Sequence, residues 1–293
     1  INFIIIKKMK RDIDIIIPVK DRQELLLNAL DSINSQKLLP EKVIIVDDCS
    51  KKRIFINKAY NFKVKILRNK INKGVSFSRN KGVRHSRNKY VSFLDSDDTW
   101  IKDKLRFQHK LLMKYNLDFL STDLIFLEKK YENNKIYLLK KFLLLNSFPN
   151  PSSIIFKRKV FLKIGGFDEK LKTCEDNDIW IKILFSKFKI LSTVERKVII
   201  NKFSEGQLSR NFFLREQSVK RFLNKNKTLF SKHLNNYELK KFEEMYATKA
   251  YIPILKKALL KFEIKVLIIL LPRLLSKKFF YKRFFNFFLK KLA

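Results

Sequence analysis

The sequence contains few of the residues that mark small cross-linked or repetitive proteins. Its 293 residues include two cysteines, five glycines and six prolines. Two cysteines, Cys49 and Cys174, cannot build a disulfide framework, which predicts a reducing compartment. So little glycine and proline excludes a collagen-like or low-complexity chain. Because 46% of the residues are hydrophobic and 13% are aromatic, the chain has enough apolar material for a folded core.

Long apolar runs are also missing. The longest one near the C-terminus, residues 266–271, is far shorter than the roughly 20 residues of a membrane-spanning helix. The first twelve residues place a short apolar piece before the basic residues, which is the reverse of a secretory signal. Met9, followed by two basic residues, is a candidate start, in which case residues 1–8 are an upstream extension. We therefore expect a cytoplasmic protein.

Acidic residues are scarce beside the basic ones. Lys and Arg number 65 and Asp and Glu number 28, so the formal net charge is +37. Such a chain is expected to meet a negatively charged partner, namely nucleic acid, anionic lipid or a phosphorylated substrate. The sequence has no helix-turn-helix, zinc or RNA-recognition pattern, which argues against specific binding to nucleic acid. A basic nucleic-acid-binding protein stays open as an alternative.

The basic residues are most concentrated at the C-terminus. Residues 256–293 hold eleven Lys or Arg and one acid, Glu263. On a helical wheel of residues 280–290, phenylalanines gather on one side and basic residues on the other. This pattern is typical of an amphipathic helix at the surface of an anionic membrane, here the inner face. The alternative is a C-terminal helix that packs on its own domain.

Apolar periodicity predicts strands that alternate with helices up to about residue 127. The predicted strands cover residues 14–18, 43–46, 63–67, 90–94 and 117–127, and the predicted helices cover residues 23–36, 76–88 and 101–115. The alternation indicates an α/β fold, with a mostly parallel sheet and helices on both faces. Ligands of such sheets bind beyond the carboxyl ends of the strands. After residue 201 the pattern is polar and helical.

Acidic clusters follow two of these strand ends. Residues 47–48 follow the second strand, and residues 95–98 follow the strand that ends at Leu94. Alternate carboxylates on a turn can hold Mg²⁺ or Mn²⁺, whose remaining ligands are substrate phosphates and water. A further acidic pair, residues 175–176, opens an apolar helical stretch. There a carboxylate acts either as a general base or as a cap of the helix N-terminus.

Six short motifs in order carry a family resemblance. They are Ile15–Pro18, Val46–Ser50, Gly74–Asn80, Phe93–Asp98, Gly165–Glu169 and Glu175–Asp176. Their order and spacing over about residues 12–210 resemble glycosyltransferase family 2. The resemblance implies the Rossmann-like GT-A fold of nucleotide-sugar enzymes and an inverting reaction. It predicts a catalytic domain over residues 9–210, followed by a helical region over residues 211–293 that carries the basic tail.

The resemblance also implies a donor site. Pro18 and the backbone of Val19 would begin the nucleotide pocket, and Asp48 would hydrogen-bond the uracil ring of a UDP-sugar. Arg79 would lie near the nucleotide. The sequence departs from the family pattern in this region, because Lys20-Asp21 stands where Tyr-Asn is usual and Cys49 stands where Gly is usual.

The resemblance assigns the metal and the base as well. Asp97 would be a direct ligand of Mn²⁺ or Mg²⁺, while Asp95 would face the ribose or the metal ion and Ser96 would contribute to donor binding. Asp176 would be the catalytic base, and residues 165–166 would shape the acceptor side. The expected reaction moves a hexose or N-acetylhexosamine from a UDP-sugar to a saccharide or lipid-linked acceptor, in bacterial surface polysaccharide synthesis. A nucleotidyltransferase on a similar sheet is the other enzyme alternative.

Overall fold

The computed structural model describes residues 11–123, 148–201 and 212–240. The described residues fall into two compact units. The first comprises residues 11–123, 149–169 and 178–201, and the second comprises residues 148, 170–177 and 212–240. The predicted domain boundary at residue 210, the N-terminal extension 1–8 and the basic tail 256–293 all lie outside the described residues.

The helices and strands follow the predicted pattern closely up to residue 115. The strands are β1 (Ile13–Val19), β2 (Lys42–Asp47), β3 (Lys63–Arg68), β4 (Tyr90–Phe93), β5 (Thr99–Trp100), β6 (Phe119–Ser121), β7 (Ile154–Lys157), β8 (Ile190–Ser192) and β9 (Val198–Ile199). The helices are α1 (Gln23–Asn34), α2 (Val75–His85), α3 (Lys104–Lys114), α4 (Arg158–Lys163), α5 (Glu175–Leu184) and α6 (Phe212–His233), with a 3-10 turn at Pro151–Ser153.

A mixed, mostly parallel sheet organises the first unit, as predicted. Seven of the described strands form it in the order β3-β2-β1-β4-β7-β6-β8, while β5 pairs with β9. β1 is parallel to β2 and β4, whereas β7 is antiparallel to β4 and β6. The chain moves outward from β1 through β2 to β3 and then returns to place β4 on the other side of β1. This reversal creates the switch point at which ligands of open α/β sheets bind.

Both faces of the central strands are buried, which explains why β1 and β2 are almost continuously apolar. One face packs Ile15 and Ile17 in a core cluster with Leu30 of α1 and Leu105 of α3. The other face receives α2, as the sequence pattern predicted for helices on both faces. Gly82 lets that helix come close, because a Cβ there would lie 2.3 Å from Ile16 Cγ2.

Asp14 is a buried acid inside β1 that fixes the turn between α2 and β4. Its carboxylate accepts hydrogen bonds from Ser86 Oγ at 2.6 Å and from Asn88 Nδ2 at 2.7 Å. A buried carboxylate is tolerated when hydrogen bonds replace its hydration. The contact therefore holds the start of β4, and with it the acidic turn that follows.

The second unit has its own buried residues. Val219, Phe222 and Phe230 of α6 are buried, and the rings of Phe222 and Phe230 meet edge-on with centroids 5.9 Å apart. Thr173 N donates to Ser218 Oγ at 3.1 Å, which ties the segment before α5 to α6. In the part of the chain that the structure describes, we find no helix with the length and hydropathy of a membrane span.

Candidate active site

The acidic turn after β4 is held in place from the 3-10 turn. Asp95 N donates to Ser152 Oγ at 3.0 Å, and Ser152 Oγ donates to Asp98 Oδ2 at 2.7 Å. Asp98 N also donates to Asp95 O at 3.0 Å, and Ser96 is buried within the turn. Because both sides of the turn are hydrogen-bonded, the carboxylates of Asp95 and Asp97 project from a fixed backbone.

Each of those two carboxylates has an arginine as counterion. Arg79 Nη2 lies 2.6 Å from Asp95 Oδ1, and Arg22 Nη1 lies 3.0 Å from Asp97 Oδ2. The Arg79 side chain is buried, and its guanidinium lies over the ring of Phe167 at 5.0 Å. The sequence-based prediction placed Arg79 near the nucleotide. The structure shows its contact with Asp95, so Arg79 positions a predicted donor-binding acid.

Sequence reasoning missed Arg22. It lies directly before α1, just beyond the end of β1, and contacts an acid 75 residues later in the chain. The available signal was its place at the carboxyl end of a strand that neighbours β4. Basic residues at such an edge are candidates for contact with a phosphorylated ligand.

Asp98 differs from its two acidic neighbours because it is buried. Burial raises the pKa of Asp98 to about 7, and the negative charges of Asp95 and Asp97 add to the rise. Hydrogen bonds from Ser152 Oγ and from Asn201 N at 3.2 Å oppose it. Asp98 thus anchors the turn in the protein interior, while Asp95 and Asp97 are the acids of the turn that are available to a ligand.

The raised pKa predicts a pH-dependent stability that Asp98→Asn should change. As the pH rises from about 4 to about 7, the unfolded chain ionises this carboxyl while the folded chain keeps the proton, so the contribution of Asp98 to the free energy of unfolding falls. Asn mimics the protonated carboxyl, so the variant should lose the part of the decrease in unfolding free energy that comes from Asp98. Urea unfolding at about pH 5 and about pH 7.5, with a chelator present, measures it. Equal pH dependence of the variant and the wild-type protein would contradict the assignment.

Asp48 fastens the loop that leads into α2. Its Oδ1 accepts from Asn69 Nδ2 and from Lys73 N, both at 2.8 Å, and its Oδ2 accepts from Gly74 N at 2.7 Å. Asp48 N donates to Val19 O at 2.8 Å, which joins the ends of β1 and β2. The role of Asp48 toward uracil stays a prediction. The structure adds a role in shaping the loop.

The residues after β1 and β2 show why the family pattern prefers Asn and Gly there. Asp21 has φ 53° and Cys49 has φ 63°, a region that Asn and Gly enter more readily than other residues. Asp21 Oδ1 accepts from Lys51 N at 2.6 Å, which joins the two loops. Pro18 and Val19 are buried in β1, and their part in the nucleotide pocket stays a prediction.

The segment after Arg79 joins α2 to the glycine loop. Asn80 Oδ1 accepts from Phe167 N at 3.0 Å, and Asn80 Nδ2 donates to Phe167 O at 2.9 Å. Gly166 has φ +64°, and a Cβ there would lie 2.5 Å from Asn80 Oδ1. Glycine is therefore required at this position, and the loop sits against the helix that carries Arg79.

Asp176, the predicted base, belongs to the second unit. It is the second residue of α5 and is half-buried, and its Oδ1 accepts from Asn177 N at 2.8 Å. A helix N-terminus favours a negatively charged side chain at this place. The catalytic role of Asp176 stays a prediction.

The sequence profile of "Glycosyl transferase family 2" matches residues 14–164, which is half of the chain and includes β1, α2 and the acidic turn. The chain belongs to glycosyltransferase family 2. The family assignment expected from the motifs is confirmed, and the acidic turn therefore lies in the domain that defines the family.

Curated relatives extend the match beyond residue 164. A protein of Haemophilus influenzae described as an "Uncharacterized glycosyltransferase" is 30% identical over 192 residues, 61% of this chain and 65% of the relative. The Escherichia coli enzyme WfgD, named UDP-Glc:alpha-D-GlcNAc-diphosphoundecaprenol beta-1,3-glucosyltransferase, is 24% identical over 209 residues, 69% of this chain and 81% of the relative. The match to a Rickettsia typhi glycosyltransferase spans 58% of that protein, so the chain covers less than two thirds of several relatives.

Solved structures of glycosyltransferases confirm the GT-A fold. TarS residues 1–349 of Staphylococcus aureus, in complex with UDP-GlcNAc, has a TM-score of 0.57 and 16% identity over 82% of this chain and 80% of that chain. A mannosyltransferase of Pyrobaculum calidifontis, in complex with GDP-Man and Mn²⁺, has a TM-score of 0.54 and 16% identity over 88% and 80%. At this level of identity the likeness concerns the fold.

Few side chains at the acidic turn could ligate a divalent cation, and those that could are carboxylates. Within residues 11–123, 148–201 and 212–240, no three His, Cys, Asp or Glu side chains are arranged to hold a metal ion by themselves. Mg²⁺ and Mn²⁺ in nucleotide enzymes need one or two carboxylates when substrate phosphates supply further ligands. Asp95 and Asp97 fit that requirement, because both belong to the one acidic turn that Ser152 holds in place.

Proposed function

We propose that the protein transfers a hexose or N-acetylhexosamine from a UDP-sugar to a saccharide or lipid-linked acceptor, with inversion at the anomeric carbon. The observation that carries the proposal is the fixed acidic turn beside the switch point between β1 and β4. Its carboxylates lie where ligands of open sheets bind. The family membership and a relative named for a UDP-glucose donor support the same donor class.

The donor would lie along the carboxyl ends of β1, β2 and β4. Pro18 and Val19 support the floor of the nucleotide pocket, and Asp48 accepts a hydrogen bond from the uracil ring while it keeps the loop before α2 closed. Arg79 orients Asp95 toward the ribose. Ser96, inside the acidic turn, completes the donor-binding set.

Asp97 would hold Mn²⁺ or Mg²⁺, with Asp95 as the second carboxylate. When bound there, a divalent cation would supply positive charge that stabilises the departing diphosphate. The chain itself supplies the fixed turn that keeps both carboxylates in place. The hydrogen bond between Asp98 and Ser152 fixes the turn before the donor binds. The carboxylates of Asp95 and Asp97 therefore need not become ordered during binding, which favours tight positioning of the diphosphate.

Asp176 would act as the general base. Its carboxylate takes the proton of the acceptor hydroxyl as the hydroxyl oxygen bonds to the anomeric carbon and the bond to the diphosphate breaks. A single displacement inverts the anomeric configuration. No enzyme nucleophile is required, so neither cysteine has a role in the proposed chemistry.

The acceptor proposal rests on relatives and on charge. WfgD and a second Escherichia coli relative, WfaP, are named for diphosphoundecaprenol acceptors, which favours a lipid-linked acceptor of bacterial polysaccharide synthesis for this chain. Residues 51–73 contain nine Lys or Arg, all exposed, and no acid. Phe55 and Ile71 in this segment are each 59% exposed. Cations beside exposed apolar side chains suit the anionic inner face of a membrane, in addition to the predicted tail.

The membrane proposal predicts that two different changes to the chain each weaken its binding to anionic vesicles. Truncation after residue 255 should weaken binding to vesicles that contain anionic lipid, and the K51Q/K52Q/R53Q variant should weaken it roughly tenfold or more, since each cation near such a surface contributes about 1 kcal/mol. Co-sedimentation with vesicles measures both. The matched control is K102Q/K110Q/K114Q, which removes three other exposed lysines. Undiminished binding of the truncated and triple variants would reject the membrane proposal.

A panel of UDP-sugars, assayed with Mn²⁺ and a range of acceptors, tests the proposed function. We expect release of UDP with one or a few of the sugars and loss of release when Mn²⁺ is chelated. Release of pyrophosphate would identify a nucleotidyltransferase. Failure of UDP to protect the protein against thermal unfolding, with or without Mn²⁺, would remove the donor proposal and leave nucleic acid as the phosphate partner to test.

A further inference from the structure

Phe55 is an exposed aromatic side chain on a backbone that is held in place. It belongs to residues 51–55, which we call the docking segment. Phe55 N donates to Gln23 Oε1 at 3.2 Å, and Gln23 Nε2 donates to Phe55 O at 2.8 Å. One side chain thus satisfies both backbone groups of Phe55, while its neighbour Ile54 is buried in the core cluster. The ring is therefore displayed to solvent from a fixed position.

The docking segment lies at the sheet edge that carries the acidic turn. Gln23 is the first residue of α1, a short loop beyond the carboxyl end of β1. Asp21, in that loop, accepts a hydrogen bond at its Oδ1 from Lys51 N at 2.6 Å. Arg22, between these two residues, pairs with Asp97. The docking segment, the loop between β1 and α1, and the acidic turn are therefore one connected group of contacts.

Positive charge surrounds the exposed apolar side chains at this edge. Residues 51–53 are three consecutive exposed cations, and Ile71, on the loop after the neighbouring parallel strand β3, is as exposed as Phe55. No acid occurs in residues 51–73. An anionic bilayer matches this combination, because cations bind its head groups while apolar side chains enter the boundary below them. A second copy of this chain, with a net charge of +37, matches it poorly.

We propose that Phe55 inserts into the interface of an anionic bilayer and that the docking segment sets the carboxyl edge of the sheet against the membrane. The inference rests on the proposed function, because it names the surface through which a lipid-linked acceptor is approached. The acidic turn, joined to the docking segment, then lies near the head groups, at the level of the phosphates of such an acceptor. Because Gln23 fixes the backbone, little conformational freedom is lost on insertion.

The first experiment measures the affinity of the full chain for vesicles of phosphatidylglycerol and phosphatidylethanolamine by co-sedimentation. We expect Phe55→Ala to weaken binding about tenfold, because the variant loses most of the apolar surface that insertion buries. Phe55→Leu keeps an apolar side chain and should keep most of the affinity. Added salt should weaken the wild-type protein and Phe55→Ala by the same factor, since the ring carries no charge.

Tyr115→Ala is the matched control. Tyr115 is an aromatic residue that is 47% exposed, and Lys114 Nζ lies 5.0 Å from the centroid of its ring. It follows α3 and precedes the amino end of β6, which is antiparallel to β7 as β4 is. Tyr115 therefore lies at the opposite edge of the sheet, and its removal should leave vesicle binding unchanged.

The second experiment locates the side chain in the bilayer. Both tryptophans of the chain, Trp100 and Trp180, are buried, so a tryptophan introduced by Phe55→Trp reports on the docking segment. With vesicles whose acyl chains carry bromine, we expect a blue shift and strong quenching of the fluorescence of Phe55→Trp. The same substitution at the opposite edge, Tyr115→Trp, should give neither. Circular dichroism and thermal unfolding establish that each variant is folded.

The outcomes separate this inference from the proposed function. If the wild-type protein binds the vesicles, then unchanged affinity of Phe55→Ala or absence of quenching in Phe55→Trp overturns the docking of this edge, while membrane association through another surface stands. Loss of UDP affinity in Phe55→Ala without vesicles would also overturn it, because the ring would then belong to the donor site. So would a change of oligomeric state in Phe55→Ala, which would assign the ring to a second copy. If the wild-type protein binds no anionic vesicles, the membrane part of the proposed function fails together with this inference.

Discussion

Asp97→Asn is expected to remove manganese-dependent binding of UDP and leave the fold intact. The substitution keeps the shape of the side chain and its place on the hydrogen-bonded turn, but it removes the negative charge that the metal ion requires. We expect the affinity of UDP with Mn²⁺ present to fall by about a hundredfold or more, to the value measured with a chelator. Calorimetric titration of UDP with and without Mn²⁺ measures the difference.

The control for this variant is Asp31→Asn. Asp31 is an exposed acid on α1 with a lysine partner, Lys58 Nζ, at 2.7 Å, so its loss removes one negative charge and one ion pair elsewhere on the first unit. It should leave UDP binding unchanged. If Asp97→Asn keeps the full manganese-dependent affinity, Asp97 is not a metal ligand and the donor site must be sought at another strand end.

Asp176→Asn is expected to stop transfer and leave the donor bound. An amide cannot accept the proton of the acceptor hydroxyl, and the loss of a general base costs roughly 10²–10⁴ in kcat. The affinity of UDP with Mn²⁺ should remain that of the wild-type protein, because the predicted donor contacts come from other residues. Transfer rates at saturating donor, with UDP affinity measured on the same samples, separate the two effects.

Glu175→Gln is the matched control, since residue 175 carries a neighbouring carboxylate at the same helix start. If these acids only stabilise the N-terminus of α5, both variants should unfold at a lower temperature and both should keep their kcat. If Asp176 is the base, kcat falls in Asp176→Asn and changes little in Glu175→Gln. Normal turnover of Asp176→Asn would remove it as the base.

The sequence predicted the part of the fold that depends on local pattern. β1, β2 and β4 are mostly apolar runs, and acids end β2 and follow β4. Such runs predict both a buried parallel sheet and the edge at which ligands bind. β7 was not predicted, and its antiparallel place between β4 and β6 depends on pairing with strands that are distant in the sequence. The strand predicted over residues 117–127 is described over Phe119–Ser121, and its later residues lie outside the described part.

In the candidate site, too, local sequence pattern predicts some features and misses others. The sequence does not show that Asp98 is buried, because its contacts come from Ser152 and Asn201 in distant parts of the chain. The contact between Arg22 and Asp97 spans 75 residues. Local pattern predicts which residues end a strand, while their partners depend on how distant strands are ordered in the sheet.

The most direct test of the proposed reaction follows the donor itself. Phosphorus and proton nuclear magnetic resonance of a UDP-hexose, incubated with the protein and Mn²⁺, reports both the released nucleotide and the first anomer of the sugar, whether transferred or hydrolysed. We predict that UDP is the nucleotide product, that its release requires Mn²⁺, and that the sugar first appears with the inverted configuration. Release of UMP or pyrophosphate, or a sugar with retained configuration, would contradict the proposed displacement.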